Sequence, residues 1–492
     1  MDFFYTARSL KMQLSELLSG INYIDVKGNT DLNISSLSCD SRRVKKDGLF
    51  FCLEGTQTDG HIFAHKAVAD GAVALVCGRD VNIADDSVCR IIVSDTRAVM
   101  SKMAKTFFHS ACDLLNIISV VGTNGKTSTT YLLDAILKET GEKTAVIGSN
   151  GVWIGERRIK SALTTPDPID LHELFYKIHL NKIRYVIMEV SAHAIALKKM
   201  EGVTSDIAVF TNLSQDHLDF FKNMQTYAAV KESFFDKKYV RVGVINADDE
   251  LGMKILKNAD LSMISYGCEN PADVFASDFE GSEKGISYTL GLCGETKRVS
   301  YSLKGKFNMY NTLAASAAAR LYGIKADVIA QGISKVKSID GRNETFFMKS
   351  GARVVVDFAH TPDGVENILS YLSSTGKKGG RLIVVFGCGG GRDKFKRPLM
   401  GKAVAKYADL AIVTDDNPRF EDSFSIFRDI VAGLKENYEI IQNREDAIFH
   451  ALNQAGAADT VAILGKGAER YQEIKGRKYP FYDIEVVHRF LG

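Results

Sequence analysis

Short all-apolar runs, each closed by a glycine or a polar cluster, recur along this chain. Between them lie stretches with an apolar residue every three or four positions. That alternation predicts buried parallel strands joined by amphipathic helices. The sharpest instance is NIISVVGTNGKTSTTYLLDAILKETG over 116–141. Ile117, Ile118, Val120 and Val121 read as a buried strand. Leu132, Leu133, Ile136 and Leu137 form one side of a helix that Gly141 stops. Between strand and helix stands Gly122-Thr123-Asn124-Gly125-Lys126-Thr127-Ser128. Backbone N–H groups of such a loop converge on phosphate oxygens, and the helix dipole favours negative charge there. Lys126 would neutralise the β- and γ-phosphates, and the Thr127 hydroxyl would meet Mg²⁺. The full phosphate-loop pattern wants a further glycine where Val120 stands, and a bare GKT also occurs in surface turns. The strand before it and the helix after it favour a site for ATP or GTP with metal.

The same pattern divides the chain into three expected units, 1–110, 111–340 and 341–492. The first is a small α/β unit, with strands at Gly48–Leu53 and Ala72–Val76, a helical segment near His65–Asp70 and a turn-rich loop at Glu54–Gly60. The second continues from the phosphate loop as a parallel sheet, with strands Tyr185–Val190, Ile207–Phe210 and Val240–Ile245. Each of these ends in a polar cluster: Glu189-Val190-Ser191-Ala192-His193, Asn212 to His217, and Asn246 to Asp249. Open α/β sheets place ligands at strand C-termini, so three clusters beside one phosphate loop point to a metal and phosphate site. The third is a doubly wound, Rossmann-like sheet, with strands Arg353–Val356, Leu382–Phe386, Leu410–Val413 and Val461–Leu464. Lys337–Glu344 reads as the hinge between the last two units.

Composition narrows the partners. The 492 residues are 45% hydrophobic and 25% charged, and the net charge of +2 gives no reason to expect nucleic acid or an anionic membrane. No run approaches the 18 or so apolar residues of a membrane span, and MDFFYTARSLKMQ lacks the order of a signal peptide. The eight cysteines are scattered without a CxxC pair, which suits buried free thiols in a reducing cytoplasm.

With these loops assembled, the chain resembles the Mur ligases, and within them the MurE type, over nearly its whole length. The motifs are DSRRVKKDGLFFCLEG at 40–55, GTNGKTS at 122–128, LTTPDP at 163–168, MEVSAHA at 188–194 and TNLSQDHLDFFKNMQTYAAVKESFF at 211–235. GKFNMYN at 305–311, GRNE at 341–344, DFAHTPD at 357–363, FGCGGGRDKFKRPLM at 386–400, DDNPR at 415–419 and GKGAERYQ at 465–472 follow in order. The resemblance implies a uridine-binding N-terminal domain, a central ATPase domain and a C-terminal amino-acid-binding domain. It implies a monomeric enzyme of the cytoplasm making a peptidoglycan precursor, with ATP phosphorylating the D-glutamate γ-carboxylate of UDP-N-acetylmuramoyl-L-Ala-D-Glu before an amine displaces the phosphate.

Residue by residue, the resemblance implies that Gly122 to Ser128 cradle ATP and that Thr127 and Glu189 hold one Mg²⁺. His217 and Lys231 would hold a second, Lys231 as a CO₂-derived carbamate. By its own surroundings in the sequence, Lys231 reads as a solvated helix lysine. Asn308, Asn311 and Arg342 resemble nucleotide contacts, and Asp357 and His360 match a loop that closes over ATP. Ser41 and the loop Thr56, Gln57, Thr58 would meet the uridine end. Thr164, Thr165, Ser191 and Lys199 would meet the pyrophosphate and sugar-peptide part.

Asp416-Asn417-Pro418-Arg419 resembles the form of this loop associated with meso-diaminopimelate, whose second carboxylate suits a guanidinium fork where the ammonium of lysine would be repelled. Arg392 would assist Arg419, with Gly465 and Glu469 receiving the distal ammonium. The chain departs from the family pattern at Leu163, Ala192, Lys199, Gly391 and Ala468, all on the substrate side. Competing readings are a relative adding lysine or another amino acid, and a catalytically silent nucleotide-binding protein.

Overall fold

In the computed structural model, residues 10–55, 58–159, 161 and 163–492 are described. Thr56, Gln57 and the first nine residues, on which the readings of the uridine loop and of the N-terminus partly rest, lie outside them. The chain divides into two compact units. The first comprises residues up to 119 with 142–207 and 236–241, and the second 120–141, 208–235 and 242–492.

In the first unit, five strands form a sheet in the order Asp25–Lys27, Cys89–Ile92, Ala72–Cys77, Gly48–Phe51, Ser36–Ser38. Alternation explains its two covered faces. Leu49, Phe51, Ala74, Val76 and Ile91 point one way, onto Val99, Met103 and Phe107 of the helix Thr96–Phe107. Phe50, Leu75 and Cys77 point the other way, onto Ala64 and Ala67. A second set of strands in this unit runs Arg157–Ile159, Gly151–Ile154, Thr144–Gly148, Tyr185–Val190, of which only the last pair is parallel.

The second unit holds the doubly wound C-terminal sheet that the apolar runs predict. Six strands lie in the order Glu344–Phe347, Arg353–Asp357, Thr460–Leu464, Leu382–Phe386, Leu410–Val413, Tyr438–Ile440. Every pairing but the first is parallel. Val355, Val384, Phe386, Val413 and Leu464 pack on the helices of 362–431, while Val354, Ile383, Val385, Ile412 and Ile463 pack on those of 444–491. Both faces are therefore buried, and the strand C-termini carry the loops that bear the chemistry.

Besides the antiparallel pairs within 144–159, two features differ from the sequence expectation. An antiparallel meander, Val274–Ser282, Gly285–Leu292 and Glu295–Tyr301, extends what reads as a purely parallel sheet. Its first strand is exposed at nearly every position after Val274, so no apolar rhythm announces it. The cysteines are free thiols, but only five are buried, with Cys39 and Cys268 half-buried and Cys293 exposed. Among the described residues, no helix is long and apolar enough to cross a membrane.

Candidate active site

The phosphate loop of the second unit is shaped by close approach. Gly125 caps the helix Lys126–Glu139 at φ +85°, and a Cβ there would stand 2.4 Å from Asn311 Oδ1. The loop is tied down by the segment that follows the strand Ser205–Phe210. Asn124 N–H donates to Asn212 Oδ1 at 2.9 Å, and Thr211 Oγ1 donates to the Asn124 carbonyl at 2.7 Å. Lys126 Nζ donates to the carbonyls of Gly122 and Thr123 at 2.9 and 2.8 Å, which folds the cation back over the loop. Arg342 Nη2 donates to Thr127 Oγ1 at 2.9 Å while its guanidinium lies over the Phe358 ring. Asn308 accepts from Asn311 at 3.0 Å. The loop residues, both asparagines and Arg342 are thus brought together. Asp357 is buried behind them and accepts the N–H groups of Asn343 and Ala359. Burial, only partly offset by Arg342, pushes its carboxyl up.

Lys231 departs from its reading as a solvated lysine. It is fully buried on the helix Met224–Glu232, its Nζ has no hydrogen-bond partner, and it lies 4.5 Å from the centre of the Tyr227 ring. Burial first, and Lys126 second, hold its ammonium well below the ordinary lysine range. His217, at φ +58°, packs its ring edge-on against the same Tyr227.

Next to it Asp216, which sequence reasoning did not single out, gathers three cations or potential cations. Lys396 Nζ donates to Asp216 Oδ1 at 2.8 Å, His360 Nε2 lies 3.3 Å from Oδ2, and His217 Nε2 lies 3.4 Å from it. Burial opposes ionisation of Asp216, but Lys396 and the histidines overcome it and hold the carboxyl well below its usual range. His360 is therefore found against Asp216 rather than against the phosphate loop. A second unforeseen tie is Asn124 Nδ2, which donates to Asp363 at 2.8 Å. Both pairs join residues far apart in sequence, so only their presence inside motifs signals them. Among the described residues, no three His, Cys, Asp or Glu side chains gather as a metal cage. The donor set fits Mg²⁺ only if Lys231 becomes an anion and substrate oxygens complete the shell.

At the ends of Leu410–Val413 and Thr460–Leu464 lies the Asp416–Arg419 loop. Arg419 stands at φ +54° and is gripped by the strand Tyr471–Ile474. Its N–H donates to the Glu473 carbonyl at 3.0 Å, and its own carbonyl accepts from Lys475 N–H at 2.6 Å. Its guanidinium donates from Nε to Glu473 Oε2 at 3.1 Å and from Nη1 to the Gly390 carbonyl at 2.9 Å. Nη2 has no hydrogen-bond partner among the described residues. Asn417 Oδ1 accepts from Glu473 N–H, and its Nδ2 donates to Glu469.

Lys466, fully buried and also not foreseen, donates to both Asn417 and Glu469. Glu469 thus already holds one internal cation. Asp416 accepts Gln472 Nε2 at its carbonyl, and Gly465 turns at φ +113° with its Cα facing the Asp416 carboxylate. Burial raises Asp416, but Lys466, Arg444 and Arg419 bring it below the usual carboxylate value. Arg392 lies near the same glycine loop as Arg419, 4.0 Å from Asp219.

The first unit carries the remaining expected residues. Glu189 is the penultimate residue of its strand, with Oε1 accepting Ser149 N–H at 2.9 Å and Oε2 accepting Ser149 Oγ at 3.1 Å. Ser149 also reaches Thr164 Oγ1 at 3.1 Å. Thr165 Oγ1 donates to the Glu189 carbonyl and accepts Ser191 N–H, and Ser191 caps the short helix after it. Lys199 Nζ lies 2.8 Å from Asp167 and donates to the Thr165 carbonyl. These five expected residues form one polar cluster, of which Ser149 is an unforeseen member. Ser41 is buried at the start of a 3-10 turn, and the Thr58 carbonyl closes the loop by accepting Gly55 N–H.

Three family descriptions match successive parts of the chain: "Mur ligase family, catalytic domain" at 33–108, "Mur ligase middle domain" at 120–319 and "Mur ligase, glutamate ligase domain" at 341–467. A UDP-N-acetylmuramoyl-L-alanyl-D-glutamate–2,6-diaminopimelate ligase of Caldanaerobacter subterraneus is 39% identical over 484 residues, covering 98% of this chain and 99% of the relative. The same-named protein of Clostridioides difficile is 40% identical over 488 residues, covering 98% and 100%. A solved structure of a ligase with that name superposes with a TM-score of 0.68 at 30% identity, covering 98% of this chain and 99% of that one. MurF from Acinetobacter baumannii, at 16% identity and a TM-score of 0.67, shares the fold.

Proposed function

This chain belongs to the Mur ligase family, and on that premise we propose that it joins meso-diaminopimelate to the D-Glu γ-carboxyl of UDP-N-acetylmuramoyl-L-Ala-D-Glu, with ATP becoming ADP and phosphate. The observation that carries the reading is Lys231, a buried amine without a hydrogen-bond partner that shares the Tyr227 ring with His217 and whose ammonium form burial disfavours. A neutral amine adds to CO₂: the N–C bond forms, the nitrogen gives up a proton, and an anionic carbamate results.

A carboxylate attacking ATP brings two anions together, and bound Mg²⁺ would supply the neutralising charge between them. In the second unit Thr127 would hold one ion and His217 with carbamylated Lys231 another, and in the first Glu189 would offer a carboxylate to Mg²⁺. Lys126 would exchange its loop carbonyls for β- and γ-phosphate oxygens. Asn308, Asn311, Arg342 and Asp357 would hold the nucleotide side, and His360, held at Asp216, would face the transfer step. The γ-carboxylate oxygen then carries the phosphoryl group, and the incoming amine forms the C–N bond as phosphate leaves.

The open Nη2 of Arg419 would take the distal carboxylate of diaminopimelate, with Arg392 adding charge. Asn417 and Glu469, already joined through Lys466, would receive the ammonium end near Gly465. Ser41, Thr58, Thr164, Thr165, Ser191 and Lys199 would contact the uridine diphosphate sugar-peptide. The reading includes the three-domain division at 1–110, 111–340 and 341–492, a cytoplasmic location and a monomer.

The test is phosphate release by purified protein with ATP, Mg²⁺ and the muramyl dipeptide against a panel of amino acids. Release dependent on both the dipeptide and diaminopimelate is expected. Preference for lysine would overturn the amino-acid assignment, and no release with any amino acid would overturn the ligase.

A further inference from the structure

We infer that Arg397 and Glu421 are positioning residues that set the amino-acid pocket by clamping the Gly389–Gly391 loop to the Asp416–Glu421 loop. The inference rests on the function proposed above. Arg397 sits on the helix Lys396–Tyr407 and its side chain is wholly buried. Its Nη1 donates to Glu421 Oε1 at 2.8 Å and to Asp429 Oδ2 at 2.9 Å, and its Nη2 donates to Glu421 Oε2 at 2.8 Å and to the Gly389 carbonyl at 3.2 Å.

Glu421 completes the bridge. Its Oε2 also accepts Gly391 N–H at 2.9 Å, and its own N–H donates to the Pro418 carbonyl at 3.0 Å. One guanidinium and one carboxylate therefore grip both ends of the glycine loop and the end of the loop that bears Arg419. Two further bonds zip the loops together: Gly390 N–H to the Asn417 carbonyl, and Arg419 Nη1 to the Gly390 carbonyl, each at 2.9 Å.

The energetics favour a geometric role. A buried ion pair gains little net stability over an apolar replacement of equal volume, because desolvation offsets the attraction. What it supplies here is a bidentate fork whose plane fixes where three backbone groups lie. Those groups flank Gly390, whose carbonyl accepts Arg419 Nη1, and lie next in sequence to Arg392 and Arg419. Asp429, by contrast, touches Arg397 but neither loop.

The test compares Glu421→Gln, Arg397→Lys and Asp429→Asn in the full chain. The Michaelis constants for diaminopimelate, ATP and the muramyl dipeptide are read for each, with a thermal melt. Glu421→Gln loses the charged acceptor, and Arg397→Lys keeps charge but loses the fork. Each is expected to raise the constant for diaminopimelate about tenfold, leaving the other two within about twofold. Asp429→Asn is expected to change all three by less than about twofold. Equal rises in all three constants would overturn the clamp, as would an Asp429→Asn effect matching that of Glu421→Gln. So would an unchanged diaminopimelate constant in whichever of Glu421→Gln and Arg397→Lys folds. If the wild type prefers another amino acid, the function proposed above fails, and the same split is read with the preferred one.

Discussion

Behind the phosphate loop, Lys231 is buried without a hydrogen bond, whereas around Arg419 nearly every charged group already holds an opposite charge or a carbonyl. The first arrangement costs stability and stays incomplete until something reacts with it or binds it. The second is assembled before substrate arrives, so binding need only fill the edge left open. The two regions should therefore fail differently when cut. Damage at Lys231 should fall on turnover, and damage at the Arg419 loop on the affinity for one substrate.

The largest expected effect tests the incomplete side. Lys231→Ala should lower turnover by at least about a hundredfold, and added bicarbonate should not restore it, since the alanine has no amine to carry the carbamate. Wild-type turnover in that variant would erase the contrast. On the assembled side, Arg419→Ala should raise the Michaelis constant for diaminopimelate about ten- to a hundredfold while that for ATP stays within about twofold. Equal rises for both would show that the loop serves the whole site and not one substrate.

The smallest effect isolates burial from chemistry. His172 in the first unit is buried with no partner at Nε2, and burial, reinforced by Lys105, lowers its pKa from 6.5 to about 3. The unfolded chain takes up a proton at this site near pH 6.5 and the folded chain does not until about pH 3. The contribution is therefore intact above 6.5 and is lost as pH falls through that window. Against His172→Leu, the wild type should lose about 1 kcal/mol more between pH 7 and 5.5, read by urea unfolding. Parallel pH profiles would mean that burial alone does not cost what the comparison requires.

Much of this contrast was half-legible in the chain. The strands and loops that carry the site follow from apolar runs ending in polar clusters, because a sheet covered on both faces leaves no other pattern. Lys231 could be named from its motif, but its burial could not. A lysine inside YAAVKESFF looks solvated, and only the packing of Tyr227 and the neighbouring helix turns it inward. Asp216 with Lys396, Asn124 with Asp363 and Arg397 with Glu421 escaped for a different reason. Each is a pair of ordinary polar residues whose partnership exists only once distant loops meet. The internal cation at Glu469 escaped although its partner is local, since nothing in GKGAE says that the lysine will turn onto the glutamate three positions on.

The grip of the strand Tyr471–Ile474 on Arg419 has a practical corollary for engineering. The tetrapeptide Asp416–Arg419 borrows its left-handed turn from a hairpin more than fifty residues downstream. Moving those four residues alone into a protein without the matching hairpin would import a side chain without its scaffold. If the loop sets amino-acid choice as proposed, that choice is not portable as a short cassette, and an exchange would have to carry the distal hairpin along with it.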